Sequence, residues 1–164
     1  MTVDVAKVYE EIAADEGKIL HCYEDHLGKK TCAIGHLVLA SDPEIDLPVH
    51  GAYDEVPEDE CISEERCYEL FEQDVQIAID GCKSIYSNWD ELPQEMQHIL
   101  VNMCFQLGQG GLSNFKNMND GVEKKMWGMV SLDMMDSRWA QQTPERAKRL
   151  QTRGNKNGSW QFNG

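Results

Sequence analysis

An α+β fold is predicted by three features of the chain: a helix-periodic N-terminal stretch, a short strand-like segment folded about a Leu-Gly-Lys-Lys turn, and a long remainder whose apolar residues recur at helical spacing. In the first stretch Val5, Val8, Ile12 and Ala13 fall on one helical face, and Gly17 is a natural C-terminal stop, so a helix is expected to end at Glu16. Residues 19–36 are rich in Cys, Tyr, Thr and Ile on either side of Leu27-Gly28-Lys29-Lys30, which predicts two short strands in a hairpin.

Residues 41–61 carry Pro43, Pro48 and Pro57 among turn-forming residues, and an exposed connection with little regular structure is expected there. Ser63 then has the chemistry of an N-cap, with Glu64 and Glu65 in the first turn and a stripe of Cys67, Leu70, Phe71, Asp74, Val75, Ala78 and Cys82. A long helix is expected over residues 63–82. Pro93 suits a first helical position, and Met96, Leu100, Met103 and Leu107 form a stripe that stops at Gly108. Shorter helical pieces are expected over 116–121 and 122–139, then a basic helix over 146–150 capped by Thr143-Pro144, and a loose tail after Gly154.

Composition narrows the function. A chain of 164 residues with 41% hydrophobic content suits one domain, large enough to close a core and to divide into two lobes around a cleft. No apolar run approaches the roughly eighteen residues of a membrane span, and residues 1–17 lack the basic-then-apolar order of a signal peptide, so neither membrane insertion nor an export signal is expected. A formal charge of −14 has the wrong sign for a phosphate backbone, which argues against nucleic acid as partner. Much of that charge sits in one run, where Asp42, Glu44, Asp46, Asp54, Glu55, Glu58, Asp59 and Glu60 follow one another with no Lys or Arg between them. The six cysteines form no C-x-x-C pair and the five histidines show no ligand spacing; reduced thiols and no metal or other cofactor are expected.

Two carboxyl groups stand out for chemistry. Glycoside hydrolysis needs one carboxyl that keeps its proton at neutral pH and a second that is ionised. Glu16 ends a helix, where the negative end of the dipole disfavours a further negative charge, and Asp25 lies just before the hairpin turn. Spacing alone does not separate this pair from a surface acid and a turn aspartate. The surrounding residues do: Asp15-Glu16-Gly17, Tyr23-Glu24-Asp25, Gly28, Thr31 and Ile34-Gly35-His36-Leu37 closely resemble the active-site stretch of phage-type lysozymes. That family's signature of Glu, eight residues, Asp, five residues, Thr falls on Glu16, Asp25 and Thr31. The resemblance continues through residues 70–74 and 102–108, and through 137–139 to 142–149, nearly the whole chain.

What the resemblance implies is a lysozyme-like fold of two lobes joined by a long helix: a hairpin lobe over about 17–62, the connecting helix over about 63–82, and a helical lobe over about 83–164 with the N-terminal helix. It further implies a muramidase that cuts the β-1,4 bond between N-acetylmuramic acid and N-acetylglucosamine, with Glu16 as acid, Asp25 directing a water and Thr31 holding it. Inversion at the anomeric carbon would place the two carboxyl groups roughly 6.5–9.5 Å apart. Substrate contacts are expected at Leu37 and Phe105, with Met118 and Asp133 at weaker matches. His36 and Asp74 would form a structural ion pair, and Arg146 would face Glu16 and favour its ionisation, against the helix end. Trp127, Trp139 and Phe115 are expected in the core rather than as sugar platforms.

The implied partner is bacterial peptidoglycan and the implied state a monomer, made in a host cytoplasm and acting on the wall after release, as an endolysin does. The competing reading is a non-catalytic peptidoglycan-binding or assembly module on the same fold. Two departures from the family pattern are visible. Ala33 stands where a glycine is usual, which would strain the chain if that position needs a positive φ. The acidic surface would repel an anionic wall over the roughly 8 Å reach of electrostatics at physiological salt, so activity is expected to rise over a moderate salt range.

Overall fold

The computed structural model describes residues 2–156, with seven α-helices and one three-stranded antiparallel sheet of order β1-β2-β3 among them. It divides into two compact units, one of residues 5–75 and one of residues 2–4 with 76–156. The long helix runs through the division.

In the first unit, α1 spans Val5–Glu16 and buries Val8 and Ile12. Gly17 ends it at φ +83°, and its N–H donates to the Ala13 carbonyl at 2.9 Å, as a glycine stop does. The strands β1 (Ile19–Glu24) and β2 (Lys30–Ala33) form the expected hairpin, and β3 (His36–Leu37) adds a third strand that a two-residue segment was too short to announce by alternation. Tyr23 lies opposite Thr31, and Thr31 opposite Leu37, so these three residues form one row across the sheet. The link between β2 and β3 is tight, with Ala33 at φ +59° and Gly35 at φ +65°. Ala33 therefore does occupy the left-handed region, at a site where its methyl is fully buried.

The connection after β3 contains two short 3-10 turns, Pro43–Asp46 and Glu58–Glu60. It is exposed over most of its length, but Asp42 and Glu44 are buried, contrary to the expectation for an acidic run. The reason is that each has a cationic partner. Glu44 receives two hydrogen bonds of 2.9 Å from the Arg66 guanidinium, and Asp42 meets His36. Lys30 also donates to the carbonyls of Ile45 and Leu47 at 2.8 and 2.5 Å. The helix α2 (Glu64–Ile85) opens with Ser63 as N-cap, its hydroxyl accepting from the Arg66 N–H at 3.0 Å. It ends three residues beyond the expected Cys82.

In the second unit, a Cβ on Gly81 would stand 3.0 Å from the Cys104 sulfur, so this glycine allows α2 and α3 to approach closely. The α3 helix (Gln94–Ser113) follows Pro93, buries Met96, Leu100 and Met103, and is broken at Gly108, whose φ of +75° is non-helical, before it resumes. The shorter helices are α4 (Lys116–Glu123), α5 (Trp127–Met135), α6 (Arg138–Gln142) and α7 (Pro144–Lys156). Thr143 does not cap α7 with its side chain as expected; the hydroxyl turns back to the Trp139 carbonyl at 2.9 Å. The loose tail expected after Gly154 begins in helix, and residues 157–164 lie outside the described residues. Trp127 and Trp139 are buried, whereas Phe115 is half-buried and meets Trp139 edge-on at 6.2 Å. All six cysteines are free thiols, five of them buried.

Candidate active site

The first unit brings Glu16, Asp25, Thr31 and Leu37 into one fold of α1 and the sheet. Glu16 is the last residue of α1, and Gly35 from the β2-β3 link lies against it: a Cβ on Gly35 would meet the Glu16 Oε1 at 3.3 Å. Two constraints therefore select glycine there, the positive φ and the approach to the carboxyl.

Asp25 follows β1 and nucleates the hairpin turn. Its backbone N–H donates to the Lys29 carbonyl at 2.9 Å, and its Oδ1 accepts from the N–H groups of Leu27 at 2.8 Å and Lys29 at 2.9 Å. The Lys29 N–H bond, and after it the Leu27 bond and nearby cations, outweigh the opposing effect of partial desolvation and hold this carboxyl below the usual aspartate value. With Oδ1 engaged, Oδ2 is the oxygen that can meet a substrate or water. Thr31 is buried on β2, and its hydroxyl donates to the Lys29 carbonyl at 2.9 Å. Its only proton is thus committed, and toward any further group the Thr31 oxygen acts as an acceptor.

Tyr23, in the same row as Thr31, was not singled out by sequence reasoning. Burial raises its phenol pKa, and the negative charges of Glu16 and Asp25 raise it further. The signal was present in part, since Tyr23 stands two residues before Asp25, but its pairing with Thr31 depends on the register across the turn.

Behind the sheet, His36 is buried between two aspartates, Nδ1 at 2.7 Å from Asp74 Oδ2 and Nε2 at 2.8 Å from Asp42 Oδ2. Burial opposes a charged imidazole, yet the hydrogen bonds and charges of Asp74 and Asp42 prevail and raise its pKa. Asp42, which also accepts the Leu39 N–H at 2.8 Å, has its carboxyl held low: burial pushes it up, and the His36 and Leu39 bonds overcome that. Sequence reasoning named Asp74 and missed Asp42, because an aspartate inside an acidic run carries no mark of burial.

In the second unit, Met118 and Asp133 line a common cavity of about 470 Å³ with Phe115, Lys116, Arg138 and Trp139. Asp133 turns Oδ2 inward, buried and with no hydrogen-bond partner. Phe105 is half-buried on α3, two residues before Leu107, which also lines that cavity. Arg146 is buried and donates from Nε to Asn102 Oδ1 at 2.9 Å. Among the described residues no cluster of three or more His, Cys, Asp or Glu is arranged to hold a metal ion.

Comparison with known proteins bears on most of the chain. A sequence profile of the family described as phage lysozyme matches residues 13–157. The chain belongs to the phage lysozyme family. Among the relatives of this lysozyme-family chain is the probable T4-type lysozyme 2 of Dictyostelium discoideum, 30% identical over 162 residues, covering 89% of this chain and 92% of that protein. The probable T4-type lysozyme 1 of the same organism is 28% identical with the same coverage. The pre-baseplate central spike protein Gp5 of Enterobacteria phage T4 is 29% identical over 150 residues, which cover 86% of this chain but 26% of Gp5. No helix of the described residues is long and apolar enough to cross a membrane.

Proposed function

We propose that this phage-lysozyme-family chain is a muramidase that hydrolyses the β-1,4 bond between N-acetylmuramic acid and N-acetylglucosamine, with Glu16 as general acid, Asp25 as general base and Thr31 as holder of the attacking water. The observation that carries this reading is the setting of Asp25, whose Oδ1 accepts two backbone N–H groups that hold the carboxyl below the usual aspartate value and leave Oδ2 to a substrate or water. A carboxylate held in this way suits a general base, and Glu16, the last residue of α1 beside Gly35, takes the acid role by the spacing of the motif.

As the bond from the anomeric carbon to the glycosidic oxygen breaks, Glu16 delivers its proton to that oxygen. A water adds to the opposite face of the anomeric carbon and gives one proton to Asp25 Oδ2. Thr31, whose own proton is engaged by Lys29, accepts the other hydrogen of that water and so aims its lone pair. Addition from the opposite face inverts the anomeric configuration. Leu37 on the sheet, and Phe105, Met118 and Asp133 in the helical unit, are proposed to contact the glycan or its peptide. His36 and Asp74, with Asp42, hold the β2-β3 segment. The enzyme is proposed to act as a monomer, synthesised in a host cytoplasm and reaching peptidoglycan once the inner membrane is breached.

The test is clearing of a purified peptidoglycan suspension by the wild type beside Glu16→Gln and Asp25→Asn, over a range of salt, with reducing ends assayed. Clearing with new reducing ends, lost in both variants and rising over a moderate salt range, is the expected result. Folded wild-type protein that binds peptidoglycan but releases no reducing ends at any salt would establish a binding module instead.

A further inference from the structure

The sheet row of Tyr23, Thr31 and Leu37 contains two residues to which the proposed reaction assigns a task and one to which it does not. Residues directly opposite in an antiparallel ladder project to the same face, so the Tyr23 ring stands on the face that carries the Thr31 hydroxyl. Tyr23 is half-buried, and the chain bends immediately after it into the turn that carries Asp25. Tyr23 thus stands beside Thr31 in the row and two residues before Asp25, and the negative charges of Glu16 and Asp25 both bear on its phenol, with no hydrogen bond to either, so that its O–H is available to a bound molecule.

Counting hydrogen-bond capacity shows what such a group supplies. An attacking water has two hydrogens and two lone pairs. Asp25 Oδ2 and Thr31 Oγ are both acceptors and take the two hydrogens, and one lone pair must point at the anomeric carbon. Held by two acceptors alone, the water still rocks about the line that joins them. A donor to the second lone pair removes that freedom, and a protonated phenol is such a donor. We infer that Tyr23 is a positioning residue for the hydrolysis, its O–H donating to the water that Asp25 and Thr31 hold. The inference rests on the muramidase reading. Burial first, and then the neighbouring negative charges, extend the donor form of the phenol beyond the pH at which an ordinary tyrosine ionises.

The experiment compares steady-state kinetics of wild type, Tyr23→Phe and Glu16→Gln on soluble peptidoglycan fragments, with thermal unfolding of each. The Phe variant keeps the ring and its packing and loses only the hydroxyl. The expected result is a kcat about tenfold lower with KM within about twofold and an unchanged melting temperature, as for loss of one hydrogen bond that counts mainly in the transition state. A second readout is independent of turnover: in Glu16→Gln and in Asp25→Asn, the pH at which the Tyr23 phenol ionises, followed by NMR of labelled tyrosine, falls from its wild-type position. Wild-type kcat in Tyr23→Phe, a rise in KM at constant kcat, or a Tyr23 titration that neither carboxyl variant moves would each overturn the inference while the muramidase reading stands if Glu16→Gln is inactive. An inactive wild type would overturn both.

Discussion

The sheet unit holds one of its two buried histidines between two carboxylates, whereas the helical unit presents a buried histidine to a backbone N–H. His36 touches Asp74 and Asp42 through its two ring nitrogens, and His98, equally buried on α3, accepts the Asp4 N–H at Nε2 at 3.0 Å. The same contrast extends further. The sheet unit is tied by charge, with Arg66 on Glu44 and Lys30 on two carbonyls. In the helical unit several bonds join neutral groups: Trp139 donates to Gln106 at 2.8 Å and Tyr86 to Asn119 at 2.5 Å, and the buried Arg146 donates from Nε to the Asn102 amide oxygen, beside a half-buried ion pair of Arg153 with Glu95. Stability in the unit that carries Glu16 and Asp25 should therefore respond strongly to pH and charge balance, and stability in the other more to packing and amide geometry.

The largest effect should follow from His36→Asn, which removes the imidazole that Asp42 and Asp74 share. A loss of about 3–5 kcal/mol is expected, as for other broken buried ion pairs, measured by urea unfolding near neutral pH. A loss below about 1 kcal/mol would mean that charge does not organise this unit. Arg66→Ala, which strands the buried Glu44, should cost about 3 kcal/mol in the same assay, while replacing both partners by apolar residues should recover most of it.

The pH dependence sharpens the contrast. The folded pKa of His36 is raised above its ordinary 6.5, so its stabilisation is complete below 6.5 and is lost as pH rises through the raised folded value. Asp42 runs the other way: its folded pKa lies below 3.8, so its contribution is present above 3.8 and is lost as pH falls through the lowered value. Thermal unfolding across pH should show both slopes, and Asp74→Asn should flatten the alkaline one. In the helical unit, Asn102→Ala should cost about 1–3 kcal/mol by orphaning part of the Arg146 guanidinium. Its effect is expected to change little with added salt.

The smallest effect is expected at Ala33. Ala33→Gly relieves a left-handed conformation worth about 1–2 kcal/mol, but it gives up a buried methyl worth roughly 0.8 kcal/mol and adds backbone entropy of about 0.5–1 kcal/mol to the unfolded chain. The net change in unfolding free energy should lie within about 1 kcal/mol of zero. Such a near balance would account for an alanine at a position with positive φ.

Much of the architecture was legible because it depends on local chemistry. Gly17 stops α1 at Glu16, Ser63 opens α2, and Leu27-Gly28-Lys29-Lys30 turns the hairpin, each through neighbours a few residues away. The Glu16, Asp25 and Thr31 spacing was likewise visible, since a motif is a property of sequence order. What stayed hidden depends on partners distant along the chain. Asp42 and Glu44 read as two more solvated acids until His36 and Arg66 met them, and β3 had too few residues to show a period.

The sequence by itself determined the order and kind of most elements, the acidic surface and the family to which the chain belongs, because periodicity, stop residues and motif spacing are written along the backbone. Only the tertiary structure decided that Ala33 takes a positive φ, that His36 has two carboxylate partners, and that Tyr23 shares a row with Thr31 and Leu37. Those outcomes follow from strand register and from the cost of burying an unpaired charge, and both are settled only when distant segments pack against one another.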